Sequence, residues 1–157
     1  MNLNEGKYYD FETRCDIWGF KSVNIGININ IDDDYNIDDY KDNIKKALEW
    51  INRKRHVIEQ AILDSNMTES AEYWVMGAEK LENGCYRLEN GEEISLPLSD
   101  DDFCKSLQIP ELLINFEEDG SCDMEIYFTC QPDYFAGHCI EVTVDNEKNI
   151  ICDGVSG

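Results

Sequence analysis

The segment from Asp133 to Cys139 contains the residues whose types could most readily do chemistry. His138 and Cys139 are neighbours, and a histidine next to a cysteine can activate the thiol as a nucleophile. Neighbouring residues of a strand point to opposite faces, however, so this imidazole and this thiol are badly placed to share a proton. We therefore predict no catalytic residue here. We expect the His138 side chain to hydrogen-bond the backbone of residues 131–137 and to hold that loop in place.

The same loop is our candidate binding site, and its candidate residues are Tyr134, Phe135, Gly137 and His138. Gly137 is expected to adopt a positive φ at the entrance to the next strand. If the imidazole pins the loop, His138→Ala should lower the free energy of unfolding by about 1–3 kcal/mol, the loss expected for orphaned buried partners.

Metal and cofactor sites are not predicted. The seven cysteines form an odd set without a Cys-x-x-Cys pair, so we expect free thiols that pack like small apolar residues. A zinc site from Cys130, His138, Cys139 and Cys152 would lack the usual short ligand spacing. No glycine-rich phosphate loop and no nucleophile elbow is present, and we expect no cofactor.

The acidic run 32–39 resembles the start of a calcium-binding loop but fails at two positions. Ile37 stands where such a loop needs glycine, and Asn43 stands where it needs glutamate. The carboxylates are better explained by the positive N-terminal end of the helix that follows them.

Charge is unevenly distributed along the chain, whose net charge is −21. Residues 1–56 hold 9 Lys/Arg against 11 Asp/Glu, whereas residues 57–157 hold 4 against 23. Such acidity argues against nucleic-acid binding through phosphates. It favours a basic protein partner, which we expect to contact carboxylates of residues 57–157. The basic stretch Lys45–Arg55 could bind phosphate, but we interpret it as a solvated helix face.

Two periodicities predict the architecture. Apolar and polar residues alternate over Tyr9–Ile17, Val23–Ile31 and several runs of Ile109–Val155, as in half-buried strands. Helical spacing occupies 37–76, as one helix or two, and 99–108. We therefore predict an α+β fold with an antiparallel sheet, made of an N-terminal hairpin and a C-terminal four-strand meander, whose apolar face is covered by helices.

The whole chain, residues 1–157, is predicted to form one domain. Thr68 is proposed to cap the last helix of the 37–76 region, Pro110 to close the 99–108 helix, and Cys85–Leu88 to form part of a short hairpin. The predicted core consists of Val23, Ile25, Ile27, Ile29, Ile44, Leu48, Ile62, Trp74, Phe103, Ile114, Phe116, Ile126, Phe128, Ile140, Val142 and Val144.

Membrane and export signals are not found in the sequence. The start lacks a basic region followed by an apolar one, and no apolar run approaches the roughly 18 residues of a membrane span. We expect a soluble, cytoplasmic protein.

Four segments carry a family resemblance: Ser99–Phe103, Asp119-Gly120, Tyr134–Val142 and Asp153–Gly157. Together they resemble small bacterial domains of unknown function that share an F-x-G-H-x-I-x-V signature. The resemblance implies a small α+β protein, and some relatives in that family resemble immunity proteins of toxin systems.

Three functional hypotheses follow. The first is a non-catalytic acidic protein-binding module, such as an immunity protein that neutralises a basic toxin. The second is an enzyme that uses the His138 loop, which would require a deep pocket joining His138 to carboxylates of shifted pKa. The third is a structural or assembly subunit with a large apolar self-complementary patch. The sequence leaves the oligomeric state open.

Overall fold

The structure, a computed structural model, describes residues 1–156. Its α-helices are α1 (Lys41–Arg53), α2 (Arg55–Asp64), α3 (Met67–Met76) and α4 (Asp100–Ser106). Its strands are β1 (Asn4–Glu5), β2 (Phe11–Ile17), β3 (Phe20–Asn30), β4 (Glu79–Lys80), β5 (Tyr86–Arg87), β6 (Glu93–Ile94), β7 (Leu107–Glu117), β8 (Cys122–Cys130), β9 (Cys139–Val144) and β10 (Ile150–Ser156).

The main sheet has seven strands in the order β1-β2-β3-β7-β8-β9-β10. The fold is α+β and the sheet is mostly antiparallel, but the prediction of a purely antiparallel sheet is wrong. β3 and β7 pair in parallel, with Ile27 opposite Ile114, and the two-residue β1 extends the sheet beyond β2. A parallel pair needs a long crossover, and residues 31–106 supply one that holds all four helices.

Side-chain alternation decides which face of the sheet is buried. Along β8 every second residue from Cys122 to Cys130 is buried and the residues between are half-exposed, as the period of two requires. The core combines this sheet face with α1–α4. Every predicted core residue is buried except Trp74, which is 40% exposed.

Residues 37–76 form three α-helices after a short 3-10 turn at Ile37–Tyr40, rather than one helix or two. The chain breaks at Lys54 and again at Asn66, whose φ of 60° is left-handed. Asn66 therefore precedes α3, and the proposal that Thr68 caps this helix is wrong: Thr68 lies inside the helix and is buried. Asparagine tolerates the left-handed region better than most residues.

α4 begins as predicted and ends differently. The Ser99 hydroxyl accepts a hydrogen bond from the Asp102 backbone N–H at 3.0 Å, a standard N-cap. The helix stops at Ser106 and β7 starts at the next residue. Pro110 therefore does not close the helix; it lies within β7, where the register with β8 shifts between Gln108 and Glu111, a position that tolerates a missing N–H donor.

A small second sheet occupies part of the crossover. It has the order β4-β5-β6, so the hairpin predicted around Cys85–Leu88 gains a third strand. No helix within residues 1–156 combines the length and apolarity that crossing a membrane requires.

Candidate functional site

The predicted binding loop connects β8 to β9 and is fixed by its own aspartate. The Gly137 backbone N–H donates to Asp133 Oδ1 at 2.8 Å, and the His138 N–H donates to the Phe135 carbonyl at 3.1 Å. Gly137 has a φ of +85°, which confirms its expected conformation. An aspartate that bonds the backbone a few residues on is ordinary turn chemistry, and this was the signal in the sequence for what holds the loop.

Tyr134 and Phe135 belong to this loop, but their side chains are buried in the core. They are 5% and 1% exposed, and their ring centroids lie 6.3 Å and 6.5 Å from that of Phe103 on α4. Both side chains therefore contribute to the packing of the core. A partner that approached this loop would meet Gly137 and His138, and binding at the loop stays a prediction.

The His138 imidazole does not anchor the loop in the way we predicted. Within residues 1–156 its side chain makes no hydrogen bond; its ring instead lies 5.2 Å from the Trp74 ring. Trp74 also contacts Phe135 edge-on at 5.7 Å, which is why it sits at the border of the core. The expected loss for His138→Ala therefore falls to that of an aromatic contact, about 0.5–1.5 kcal/mol.

The cleft beside this loop is lined by other side chains than that of His138. It has a volume of about 500 Å³, and Trp74, Glu89 and Asp133 are among the residues that line it. Cys139 follows His138 and burial raises the pKa of its thiol, which keeps the sulfur protonated and weakly nucleophilic.

The cysteines are all free thiols. Burial raises the pKa of Cys104 and of Cys130 to about 11, because the thiolate form is disfavoured away from water. Across residues 1–156, no three His, Cys, Asp or Glu side chains are arranged to hold a metal ion.

A second candidate surface is the sheet face opposite the core, which we call the open face. Cross-strand pairing arranges its central side chains in three rows. The rows are Arg14-Asn24-Glu111-Tyr127-Glu141, Glu12-Gly26-Leu113-Glu125-Thr143-Ile151 and Asn28-Asn115-Asp123. These rows hold five carboxylates and a single cation, so the open face is strongly negative.

Two tyrosines lie among these carboxylates. The Tyr9 hydroxyl donates to Glu111 Oε1 at 2.6 Å, and burial together with this contact raises the pKa of Tyr9. Burial and the charges of Glu125 and Glu141 raise the pKa of Tyr127 to about 12. Both hydroxyls therefore stay protonated at neutral pH, and each donates its one hydrogen to a carboxylate of the face, Tyr9 to Glu111 and Tyr127 to Glu125.

Polar side chains also bond across the strands of the open face. The Asn28 amide donates to Asn115 Oδ1 at 3.2 Å, and the Asn115 amide donates to Asp123 Oδ1 at 2.8 Å. These bonds limit the freedom of the side chains on the face, which would reduce the entropy lost if a partner bound there. The predicted meander made the strands of Asn115 and Asp123 neighbours, but the sequence did not predict that the strand of Asn28 pairs with that of Asn115.

Comparison with known proteins identifies a family. The family model described as "Uncharacterized protein conserved in bacteria (DUF2262)" matches residues 3–155, and the chain belongs to this family. No curated protein and no solved structure matches the chain.

Proposed function

We propose that this member of a family conserved in bacteria is a non-catalytic protein-binding module that docks a basic protein on its open face. The observation that carries the proposal is the set of rows with five carboxylates and one arginine. Four of the carboxylates, Glu111, Asp123, Glu125 and Glu141, lie in residues 57–157. That is the region from which we expected the contact to come.

Electrostatic attraction would act mainly on the rate of association. A negative surface speeds encounter with a basic partner, and at physiological salt this attraction is screened over about 8 Å. On the open face, Glu111 and Glu141 are the cross-strand neighbours of Tyr127 on either side, so like charges crowd together. Lysine or arginine side chains of a partner would relieve this repulsion.

A toxin-neutralising immunity protein is the specific role that we propose. It fits the resemblance of the Tyr134–Val142 segment, which contains F-x-G-H-x-I-x-V, to domains with immunity-like relatives. Such a protein must bind tightly and need not catalyse, and a wide charged face suits that task. The free thiols suit a reducing cytoplasm, in which we place the protein.

The proposal is tested by the association rate with the protein encoded by the adjacent gene, measured at low and high salt. The informative variant is Glu125→Gln/Glu141→Gln on the open face. Its control is Glu69→Gln/Glu82→Gln, which removes the same charge from exposed positions outside the three rows.

We expect wild-type association to slow as salt rises, and we expect the open-face variant to associate about tenfold more slowly than the control at low salt. Two results would contradict the proposal: no binding to that protein, or an equal loss in both variants. An association rate that does not depend on salt would remove the electrostatic part of it.

A further inference from the structure

One cleft of this acidic protein is lined by cations, two of which belong to the stretch Lys45–Arg55 that the sequence alone led us to interpret as a solvated helix face. Lys46, Trp50 and Arg53 are spaced at i, i+4 and i+7 on α1, so their side chains lie along one strip of the helix. Lys148, in the turn between β9 and β10, places Nζ 5.8 Å from the centre of the Trp50 ring. With the β7–β8 turn, these side chains line a cleft of about 330 Å³, which we call the Trp50 cleft.

The wall of the Trp50 cleft is held in place by a close contact. Asn43 Nδ2 donates to the Gly120 carbonyl at 3.2 Å and so ties the β7–β8 turn to α1. Gly120 has a φ of +85°, and a Cβ at this position would lie 2.6 Å from Asn43 Nδ2. Glycine is therefore required for the turn to approach the helix this closely.

Lys148 occupies a backbone position that favours another residue. Its φ is +68°, in the left-handed region that glycine and asparagine adopt most easily. Backbone strain of this kind is often found at functional sites. Here the strained residue is Lys148, whose ammonium group lies over the Trp50 ring.

The charges of the cleft are unmatched. The chain has 34 Asp and Glu, yet none lines the Trp50 cleft. Within residues 1–156, moreover, Lys46, Arg53 and Lys148 are absent from the salt bridges. Lys148 Nζ makes two long contacts, to the Cys122 carbonyl at 3.5 Å and to Cys122 Sγ at 3.6 Å, and neither neutralises its charge. Three cations without a carboxylate partner around one concavity are complementary to a compact anion.

We propose that the Trp50 cleft binds a phosphate-bearing small molecule, with the phosphate between Lys46, Arg53 and Lys148 and the rest of the ligand against Trp50. Arginine can contact two phosphate oxygens at once, while lysine acts as a point charge. The volume is at the lower end of the range for small-molecule pockets, about 300–1,000 Å³. At physiological salt, carboxylates farther than about 8 Å from the cleft are largely screened, whereas Asp145 lies close enough to interact with Lys148.

The test is calorimetric titration with inorganic pyrophosphate and with AMP, together with the NMR signal of the Trp50 indole. The informative variant is Lys46→Gln/Arg53→Gln. Its control, Lys45→Gln/Lys54→Gln, makes the same charge change on the same stretch of chain at residues that do not line the cleft. We expect saturable binding that shifts the Trp50 signal and that weakens at least about tenfold in the first variant and less than about twofold in the control.

The variant Lys148→Gly tests ligand binding without an expected loss of stability. Glycine relieves the left-handed strain, so the melting temperature should be maintained or raised while pyrophosphate affinity falls about tenfold. The proposal is overturned if neither probe binds saturably to the wild-type protein by about 10 mM. It is also overturned if the two double variants lose affinity equally, or if Lys148→Gly binds as well as the wild type.

Discussion

Gly26 lies at the centre of the open face because the Tyr9 ring occupies the space above it. A Cβ at Gly26 would overlap the Tyr9 ring. We predict that Gly26→Ala lowers the free energy of unfolding by about 1–3 kcal/mol, as other overpacking changes do. Urea denaturation measures this loss.

The Tyr9→Ala background provides the control for that change. Removal of the ring opens the space above Gly26, so Gly26→Ala should then have little effect on stability, and the two substitutions should be strongly non-additive. The same loss in both backgrounds would show that the contact with Tyr9 is not the reason for glycine.

Thr68 has a buried hydroxyl that, within residues 1–156, finds no hydrogen-bond partner. Leaving such a group unpaired costs free energy, while valine has nearly the same shape and a similar helix propensity. We predict that Thr68→Val raises the free energy of unfolding by about 1 kcal/mol, measured by thermal or urea denaturation. Thr143→Val is the comparison, because the Thr143 hydroxyl donates to Asp153; an equal gain there would contradict the explanation.

At the scale of elements, α4 depends on its N-cap residue, Ser99. The helix has only seven residues, so the hydrogen bond from the Asp102 N–H to Ser99 is a large part of what defines its start. The helix also positions Phe103, which is fully buried beside Tyr134 and Phe135. We predict that Ser99→Ala lowers the free energy of unfolding by about 1 kcal/mol.

The conservative variant tests the cause of that loss. Aspartate is as good an N-cap as serine, so Ser99→Asp should keep most of the stability in the same denaturation experiment. If Ser99→Asp loses as much as Ser99→Ala, capping is not the role of this side chain.

The elements that the sequence predicts well are those with one buried face. Alternation in β8 and β9 is a local property, and the structure buries Ile126, Ile140 and Val142 as predicted. The parallel pairing of β3 with β7 is not local, because it depends on how the residues between them cross the sheet. Helix rotation is equally hard to predict: α3 buries Ala71 and Val75 but leaves Trp74 at the edge.

In the candidate sites too, local features could be predicted from the sequence and features that depend on the tertiary structure could not. The conformation of Gly137 was predictable because glycine has a distinct backbone preference. The bond of the Gly137 N–H to Asp133 is turn chemistry that the aspartate signals in the sequence, whereas the orientation that leaves the His138 ring without a hydrogen bond is not encoded by its residue type. The predicted meander already places Glu111 and Glu141 on strands that flank β8. The rows could not be extended to Asn24 and Arg14 from the sequence, because that step depends on the parallel pairing of β3 with β7.

At the scale of the whole molecule, the excess of 34 acidic over 13 basic residues should act against folding. Compaction brings like charges together, most clearly on the open face, and added salt screens this repulsion. Salt also weakens the favourable ion pairs. The side chains in these ion pairs are largely exposed: those of Lys105 and Asp101, for example, are 72% and 76% exposed. Exposed ion pairs contribute little to stability.

We therefore predict that raising sodium chloride from about 0.02 M to 0.5 M increases the melting temperature, by a few degrees, because repulsion outweighs the screened ion pairs. Potassium chloride should act equally, since the effect depends on ionic strength. Glu125→Gln/Glu141→Gln should melt at a higher temperature than the wild type at low salt and respond less to salt, because it already lacks two of the crowded charges. A melting temperature that stays constant or falls with salt would mean that repulsion on the open face does not limit stability, and would weaken the case that this face is held ready for a basic partner.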